Sequence, residues 1–323
     1  MSKIEALKLI GNTPMVHLKS LDPKPGVEIY VKLETGNPTG SYKDRIIKYM
    51  VQKGVEQGKI NNNTTLVEGS SGNTGASVSM IASSMGLKSM VFVPDKCSDE
   101  KIAIIRSFGA EVSVIAAPES YEDAAANKAK ESADYYHINQ YNSQLNPEAH
   151  YMTTGKEIWD NMNGEIDVFV AAASTGGTIS GIGRRLKENN PNVKIVLADP
   201  EGSVYKAYFE GKKDYLSYKK PFNVEGAGKG TLVEAMHFDV LDDAISFNDE
   251  NAIGMVLRLA REEGLMVGGS AGGNVWSALE IAKTMEAPAK IVTIIPDSGF
   301  KYMSKLFNPK WLAEIGLGHL VVK

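Results

Sequence analysis

Hydrophobic positions along this chain follow two alternating periods. Short apolar runs rich in Val and Ile predict strands at Glu28–Leu33, Thr64–Val67, Ser89–Val93, Glu111–Ile115, Asp167–Ala172, Lys194–Ala198 and Lys290–Ile295. Between them, apolar residues recur at helical spacing over Asp44–Gln57, Thr74–Met85, Glu100–Phe108, Glu119–Ala133, Glu148–Met162, Thr178–Glu188, Asp249–Glu263 and Ala271–Met285. Strands nearly continuous in β-branched residues, separated by helices of this length, predict an α/β fold with a mostly parallel sheet covered on both faces. The 323 residues suffice for two modest domains or one large unit. There is no repeat, low-complexity tail or obvious linker, so two domains would be interleaved or closely packed.

Three predicted strands run into a small-residue turn that opens a helix. Thr64–Glu68 leads into Gly-Ser-Ser-Gly-Asn-Thr-Gly (69–75), Asp167–Ala173 into Ser-Thr-Gly-Gly-Thr (174–178), and Leu265–Val267 into Gly-Gly-Ser-Ala-Gly (268–272). Such a junction lets backbone approach a ligand and aims free N–H groups and the positive helix end at an anion. Three of them suggest a ligand with several acceptors at the carboxyl ends of the strands. The 174–178 turn suits a phosphate monoester, although a tight turn with no ligand explains it equally well. A fourth segment, Gly36-Asn37-Pro38-Thr39-Gly40-Ser41-Tyr42-Lys43-Asp44-Arg45, forms a turn with Ser41 as helix N-cap and Lys43 in the first helical turn. Most such lysines are solvated surface residues; one held there and desolvated could form a Schiff base.

Composition narrows the function. Hydrophobic residues make up 43%, charged residues 23%, and the net charge of −4 has no Lys/Arg-rich run, which argues against nucleic-acid binding. No G-x-G-x-x-G dinucleotide fingerprint follows a strand, and Gly226-Ala227-Gly228-Lys229-Gly230-Thr231 lacks the Lys-Ser/Thr of a P-loop. One cysteine, Cys97, and five scattered histidines argue against a disulfide or a metal centre. Cys97 has no evident histidine partner and reads as a bystander thiol rather than a nucleophile. With no signal-peptide pattern and no apolar run of membrane-spanning length, the expectation is a cytoplasmic protein without membrane partners.

The motifs, in order, resemble the fold-type II pyridoxal-phosphate enzymes, specifically the cysteine synthase and cystathionine β-synthase group. The likeness runs nearly end to end, through Ile10-Gly11-Asn12-Thr13-Pro14-Met15, Gly40-Ser41-Tyr42-Lys43-Asp44-Arg45, Ser71-Gly72-Asn73-Thr74-Gly75, Thr175-Gly176-Gly177-Thr178 and Pro296-Asp297-Ser298-Gly299. It implies a tryptophan synthase β-like fold of two three-layer α/β domains with mostly parallel sheets and the cofactor between them. Residues 40–150 would form the smaller domain, with a mobile part at about 90–135. Residues 1–39 plus 151–323 would form the larger, cofactor-binding domain.

Site roles follow from the resemblance. Lys43 would carry pyridoxal 5'-phosphate and shuttle the α-proton. Asn73 would bind the phenolic oxygen, Ser174, Thr175, Gly176, Gly177 and Thr178 the phosphate, and Ser270 the pyridine nitrogen, with Pro296 and Asp297 closing the cofactor site. Ser70, Ser71, Gly72, Thr74 and Gln140 would grip the amino acid's carboxylate, and Gly226 would line the thiol side. The implied reaction replaces the β-substituent of serine or an O-activated serine by a thiol or sulfide, in a homodimer.

Some positions depart from the family pattern. Gly69-Ser70 stands where Pro-Thr is usual, Tyr42 where Val is common, and Ser174 where glycine is usual. Glu263–Gly272, Asp199–Ser203 and Tyr302–Lys305 with Trp311 resemble cystathionine β-synthases more than cysteine synthases. Gly228-Lys229-Gly230 departs from the aromatic-acidic continuation associated with them. The expected chain is a bare catalytic core, without a haem-binding extension or C-terminal regulatory domain. It would make cystathionine from serine and homocysteine, with cysteine synthase as the near alternative. Net β-elimination and a non-catalytic binding protein for pyridoxal phosphate or an amino acid are further readings.

Overall fold

The computed structural model describes residues 5–70 and 72–321. In chain order the strands are β1 (Met15–His17), β2 (Val27–Leu33), β3 (Thr65–Gly69), β4 (Lys88–Pro94), β5 (Glu111–Ile115), β6 (Tyr135–His137), β7 (Val168–Ala172), β8 (Lys194–Pro200), β9 (Asp243–Phe247) and β10 (Ala289–Ile295). The helices are α1 (Lys43–Glu56), α2 (Asn73–Met85), α3 (Asp99–Ser107), α4 (Tyr121–Lys130), α5 (Leu145–Met152), α6 (Thr154–Asn161), α7 (Gly177–Asn189), α8 (Tyr205–Phe209), α9 (Asp249–Glu262), α10 (Gly269–Thr284) and α11 (Pro309–Glu314). Short 3₁₀ turns join several of them.

The strands form two sheets. One has the order β1-β2-β10-β7-β8-β9, parallel except for β1 against β2; the other, β5-β4-β3-β6, is wholly parallel. The larger sheet is covered on both faces, as its Val/Ile-rich strands require. Alternate residues of each strand point to opposite faces. Val168 and Val170 therefore join Val256, Leu259 and Val275 on one side, whereas Phe169 and Ala171 join Ile179, Ile182 and Leu186 on the other. Leu66 of the smaller sheet packs with Ile46, Met50, Val78 and Ile81 of α1 and α2.

Every predicted strand but one has a counterpart within two residues. Leu265–Val267 forms no strand: Val267 makes a single bridge to Ser298, so the third glycine-rich turn opens α10 without a strand before it. The pattern also missed β1, β6 and β9, which are edge strands of three to five residues with mostly half-exposed side chains. Such edges carry little hydrophobic signal. The predicted helix Glu148–Met162 is two helices, α5 and α6, separated at Thr153, whose hydroxyl donates back to the Ala149 carbonyl at 2.7 Å. The short α8 and α11 also escaped the periodicity.

Candidate active site

The glycine-rich turns and the amino end of α1 converge on one cavity. Lys43, Ser70, Gly72, Asn73, Thr74, Gln140, Ser174, Thr175, Gly226, Ser270, Pro296 and Asp297 all line it. Gly176, Gly177 and Thr178 continue the turn that begins at Ser174, at the amino end of α7. Ser71 lies outside the described residues. One cavity thus brings together residues that are up to 254 positions apart, Lys43 and Asp297.

Lys43 is the first residue of α1 and is buried. Ser41 is not the N-cap. Tyr42 holds that position, because Ser41 bridges to Asp297 and the Tyr42 N–H donates to the Pro296 carbonyl at 3.0 Å. The Ser41 hydroxyl still accepts the Lys43 N–H, at 3.3 Å. Asp44 then ties this helix to its surroundings. Its carboxylate accepts from the Thr39 N–H (2.8 Å), the Thr39 hydroxyl (2.6 Å) and the Ser77 hydroxyl on α2 (2.6 Å).

Arg45 anchors the same turn from the other side. Its guanidinium donates to Glu34 at 2.7 and 2.8 Å, to Glu157 at 2.6 and 2.8 Å and to Thr13 at 3.1 Å. Lys32 adds an ion pair to Glu157 at 2.9 Å. Burial raises the Glu157 carboxyl, but Arg45 and Lys32 outweigh it and hold the group at about 2. The Gly11-Asn12-Thr13 motif belongs to this cluster: Gly11 N–H donates to Asn37 and Asn12 N–H to Glu157. Its work is to fix α1.

The 174–178 turn is shaped by sterics. Gly176 has φ +80°, and a Cβ there would lie 2.4 Å from Met236 Cβ. A Cβ on Gly177 would lie 2.1 Å from Asn146 Oδ1. Asn146 Nδ2 donates to Thr175 Oγ1 at 3.0 Å and to the Gln140 carbonyl at 2.8 Å. Thr178 Oγ1 lies 3.2 Å from His150 Nε2, whose Nδ1 meets Thr154. Burial, reinforced by Lys43 and Arg45, holds this imidazole well below the usual histidine range, so it is neutral. A neutral ring with its proton on Nε2 would leave the Thr178 hydroxyl free to donate.

Asn73 donates through Nδ2 to Asp297 Oδ2 at 2.6 Å and accepts from Lys301 at Oδ1. Tyr302 OH donates to the same Asp297 oxygen at 2.5 Å, while Oδ1 is buried with no hydrogen-bond partner. Burial raises the Asp297 carboxyl and lowers the Lys301 ammonium. Thr74 Oγ1 donates to Gln140 Oε1 at 2.7 Å, so that proton is committed within the protein. Ser270 is buried behind Gly226, whose added Cβ would lie 3.5 Å from Ser270 Oγ.

Sequence reasoning passed over the charged mouth. Lys101, Glu225, Lys301 and Tyr302 line the cavity with Ile104, Tyr121 and Tyr141. Glu225 pairs with Lys101 of α3 and with Lys305, at 2.6 Å from the latter. Burial raises the Glu225 carboxyl, but these ammonium groups prevail and lower it. Glu122 pairs with Lys229 at 2.9 Å, and Lys229 lies 3.8 Å above the Tyr141 ring. Gly69, where the family usually has proline, lets backbone approach: a Cβ there would meet the Tyr121 carbonyl oxygen at 2.6 Å. Lys301 and Glu225 adjoin recognised turns, which is the signal that could have found them. Lys101 and Tyr121 offered none.

Residues 6–297 match the family model of the pyridoxal-phosphate dependent enzymes. The chain belongs to that family. Over 322 residues it is 36% identical to cysteine synthase 1 of Emericella nidulans, covering 97% of this chain and 87% of that protein. Over 320 residues it is 37% identical to the cystathionine beta-synthase of Apis mellifera; this covers 97% of the chain but 63% of the honeybee protein. The cysteine synthase of Staphylococcus aureus strain N315 is 34% identical over 300 residues, covering 92% of this chain and 94% of that protein. Among solved structures, O-ureido-L-serine synthase superposes with a TM-score of 0.86 at 29% identity, covering 95% of this chain and 98% of that one. The fold is thus fold type II, and the protein is an enzyme that depends on pyridoxal phosphate. No helix among the described residues is long and apolar enough to cross a membrane.

Proposed function

We propose that this enzyme replaces the β-substituent of L-serine by an amino-acid thiol, in the manner of a cystathionine β-synthase. The observation that carries the choice is the charged mouth. Glu225, flanked by Lys101 and Lys305, with Lys301 nearby, presents both signs of charge to an incoming ligand. A zwitterionic acceptor such as homocysteine can use both; bare sulfide has no amine or carboxylate to engage them.

The residues fit the cofactor. A dianion would be met by the turn at Ser174, Thr175, Gly176, Gly177 and Thr178, where two glycines leave room for close approach and α7 begins. Ser270 Oγ would face the pyridine nitrogen as a neutral partner. Asn73, with Pro296 and Asp297 behind it, would border the phenolic oxygen, and the unpartnered Asp297 Oδ1 marks a polar valence left by the protein. Pyridoxal phosphate, when bound to Lys43, supplies the electron sink that lets a proton leave Cα and a substituent leave Cβ.

The protein's own part is positioning and proton transfer. Ser70 through its hydroxyl, Ser71, Gly72 and Thr74 through N–H groups, and Gln140 would hold the carboxylate. Lys43 Nζ would take the α-proton and return it. Gly226 would line the thiol side. Residues 90–135, within a smaller domain of residues 40–150, would close on the larger domain of 1–39 and 151–323 and exclude water that would otherwise divert the reaction to elimination. The Lys101–Glu225 and Glu122–Lys229 pairs join that segment to the larger domain and support this reading. The enzyme would work as a cytoplasmic homodimer.

End-to-end similarity to cysteine synthases favours a second reading, in which O-acetyl- or O-phosphoserine reacts with sulfide. Product analysis of the holoenzyme decides. Cystathionine formed from L-serine and homocysteine, faster than cysteine from an O-activated serine and sulfide, is the expected result. The reverse ranking would install the second reading, and pyruvate as the sole product would establish elimination.

A further inference from the structure

Thr74 and Gln140 are wired to a buried acid that no motif singled out. Glu68 lies in β3, immediately before the 69–75 turn, and only 2% of it is exposed. Its Oε2 accepts the Asn139 N–H at 2.9 Å, and its Oε1 accepts from Gln140 Nε2 at 3.2 Å. Gln140 Oε1 in turn accepts the Thr74 hydroxyl at 2.7 Å. Asn139 sits at φ +54°, in the left-handed region, so the strand end is shaped to bring this N–H onto the acid.

The chain of hydrogen bonds has a direction. An acceptor oxygen facing Gln140 requires its NH₂ to point at Glu68 and its carbonyl oxygen at Thr74. The opposite amide orientation would set one acceptor against another. With one Nε2 hydrogen on Glu68, the second is left for a ligand in the cavity that Gln140 lines.

We propose that Glu68 is a positioning residue, which holds the Gln140 amide so that its free N–H meets the carboxylate of the amino-acid substrate. The inference rests on the reading of Gln140 as a carboxylate ligand. The acid also suits its place electrically. Burial outweighs the two hydrogen bonds it accepts and pushes the carboxyl up to about 8, so at neutral pH it sets little negative charge beside the incoming carboxylate, and a proton on Oε2 leaves Oε1 an acceptor for Gln140.

The test is equilibrium binding to the holoenzyme, followed by the visible absorbance of the cofactor. L-serine is compared with 2-aminoethanol, the same molecule without its carboxylate. Glu68→Gln keeps the size and neutrality but must turn an NH₂ toward either Asn139 N–H or Gln140 NH₂. It is expected to weaken L-serine about tenfold, the weight of one hydrogen bond to a charged group, and to leave 2-aminoethanol within about twofold. Equal weakening of both ligands, or no change in either, overturns the proposal. Gln140→Ala is the control for the underlying reading: if it leaves L-serine binding intact, Gln140 is not a carboxylate ligand. If Gln140→Ala weakens L-serine and Glu68→Gln does not, the positioning role alone fails. Should Glu68→Gln not fold, Glu68→Asp, too short to reach both partners, carries the same comparison with the same expected split.

Discussion

The two ends of the cavity are built on different principles. Around residues 174–178 the site consists of backbone, neutral hydroxyls and a neutral buried histidine, and its shape is enforced by glycines whose Cβ atoms would collide with Met236 and Asn146. At the mouth it carries charges on separate segments, Lys101, Glu225 and Lys301, with Lys305 paired to Glu225; the Glu122–Lys229 pair lies against Tyr141, which also lines the cavity. A fixed group such as a phosphate dianion is matched by rigid donors that need no reorganisation. A substrate that must enter and leave is matched by ion pairs that can open at small cost. On the proposed reading, the cofactor end would tolerate little change and substrate choice would reside at the mouth.

The contrast breaks most readily at Gly177. Gly177→Ala places a methyl 2.1 Å from Asn146 Oδ1, and overpacking of this kind costs on the order of 1–3 kcal/mol. Purified variant is expected to retain far less cofactor by absorbance and to recover it only at raised pyridoxal-phosphate concentrations. Normal retention would show that the turn does not hold the phosphate.

The rigidity of the cluster that anchors α1 can be titrated through Glu157. Its folded value of about 2 lies below its ordinary 4.5, so the stabilisation is fully present above about pH 4.5 and is lost as pH falls toward 2. Glu157→Gln should lower the thermal midpoint at pH 7 and flatten the acid decline that the parent enzyme shows between those values. The shift corresponds to about 3 kcal/mol at most. Parallel acid profiles for parent and variant would refute the assignment.

The mouth should respond in the opposite way. Glu225→Gln is expected to raise KM for the thiol amino acid roughly tenfold, the weight of one charged contact, with cofactor content unchanged. An equal loss with sulfide as acceptor would argue against a zwitterion seat. The smallest effect belongs to Glu122→Gln, which removes a half-exposed ion pair worth about 0.2–1 kcal/mol. Limited proteolysis across residues 90–135 should quicken slightly, and high salt should reproduce the change in the parent enzyme. A variant as protected as the parent would exclude the pair as a latch.

The legible part of this protein was whatever repeats locally. Parallel, fully buried strands announce themselves through continuous Val and Ile, and a glycine turn opening a helix is readable because its backbone demands small residues. The turns that carry Lys43, Asn73, Thr175, Gly177 and Ser270 could be located for that reason, while the residues themselves were named through the family resemblance, and all of them except Gly177 directly line the cavity. Edge strands β1, β6 and β9 were missed because half-exposed positions need not be apolar. Leu265–Val267 was overcalled because three apolar residues suit a strand, although Val267 makes only a single bridge.

The amino-acid sequence by itself determined the layered α/β architecture and the turns, because each depends on neighbours a few positions away, and its ordered motifs singled out the lysine through their resemblance to a family. Only the tertiary structure decided which charges meet. Lys101 reaches Glu225 across 124 residues, Asn73 reaches Asp297 across 224, and Glu68 reaches Gln140 across 72. Those contacts set protonation and hydrogen-bond direction through burial and distance, neither of which any local pattern encodes.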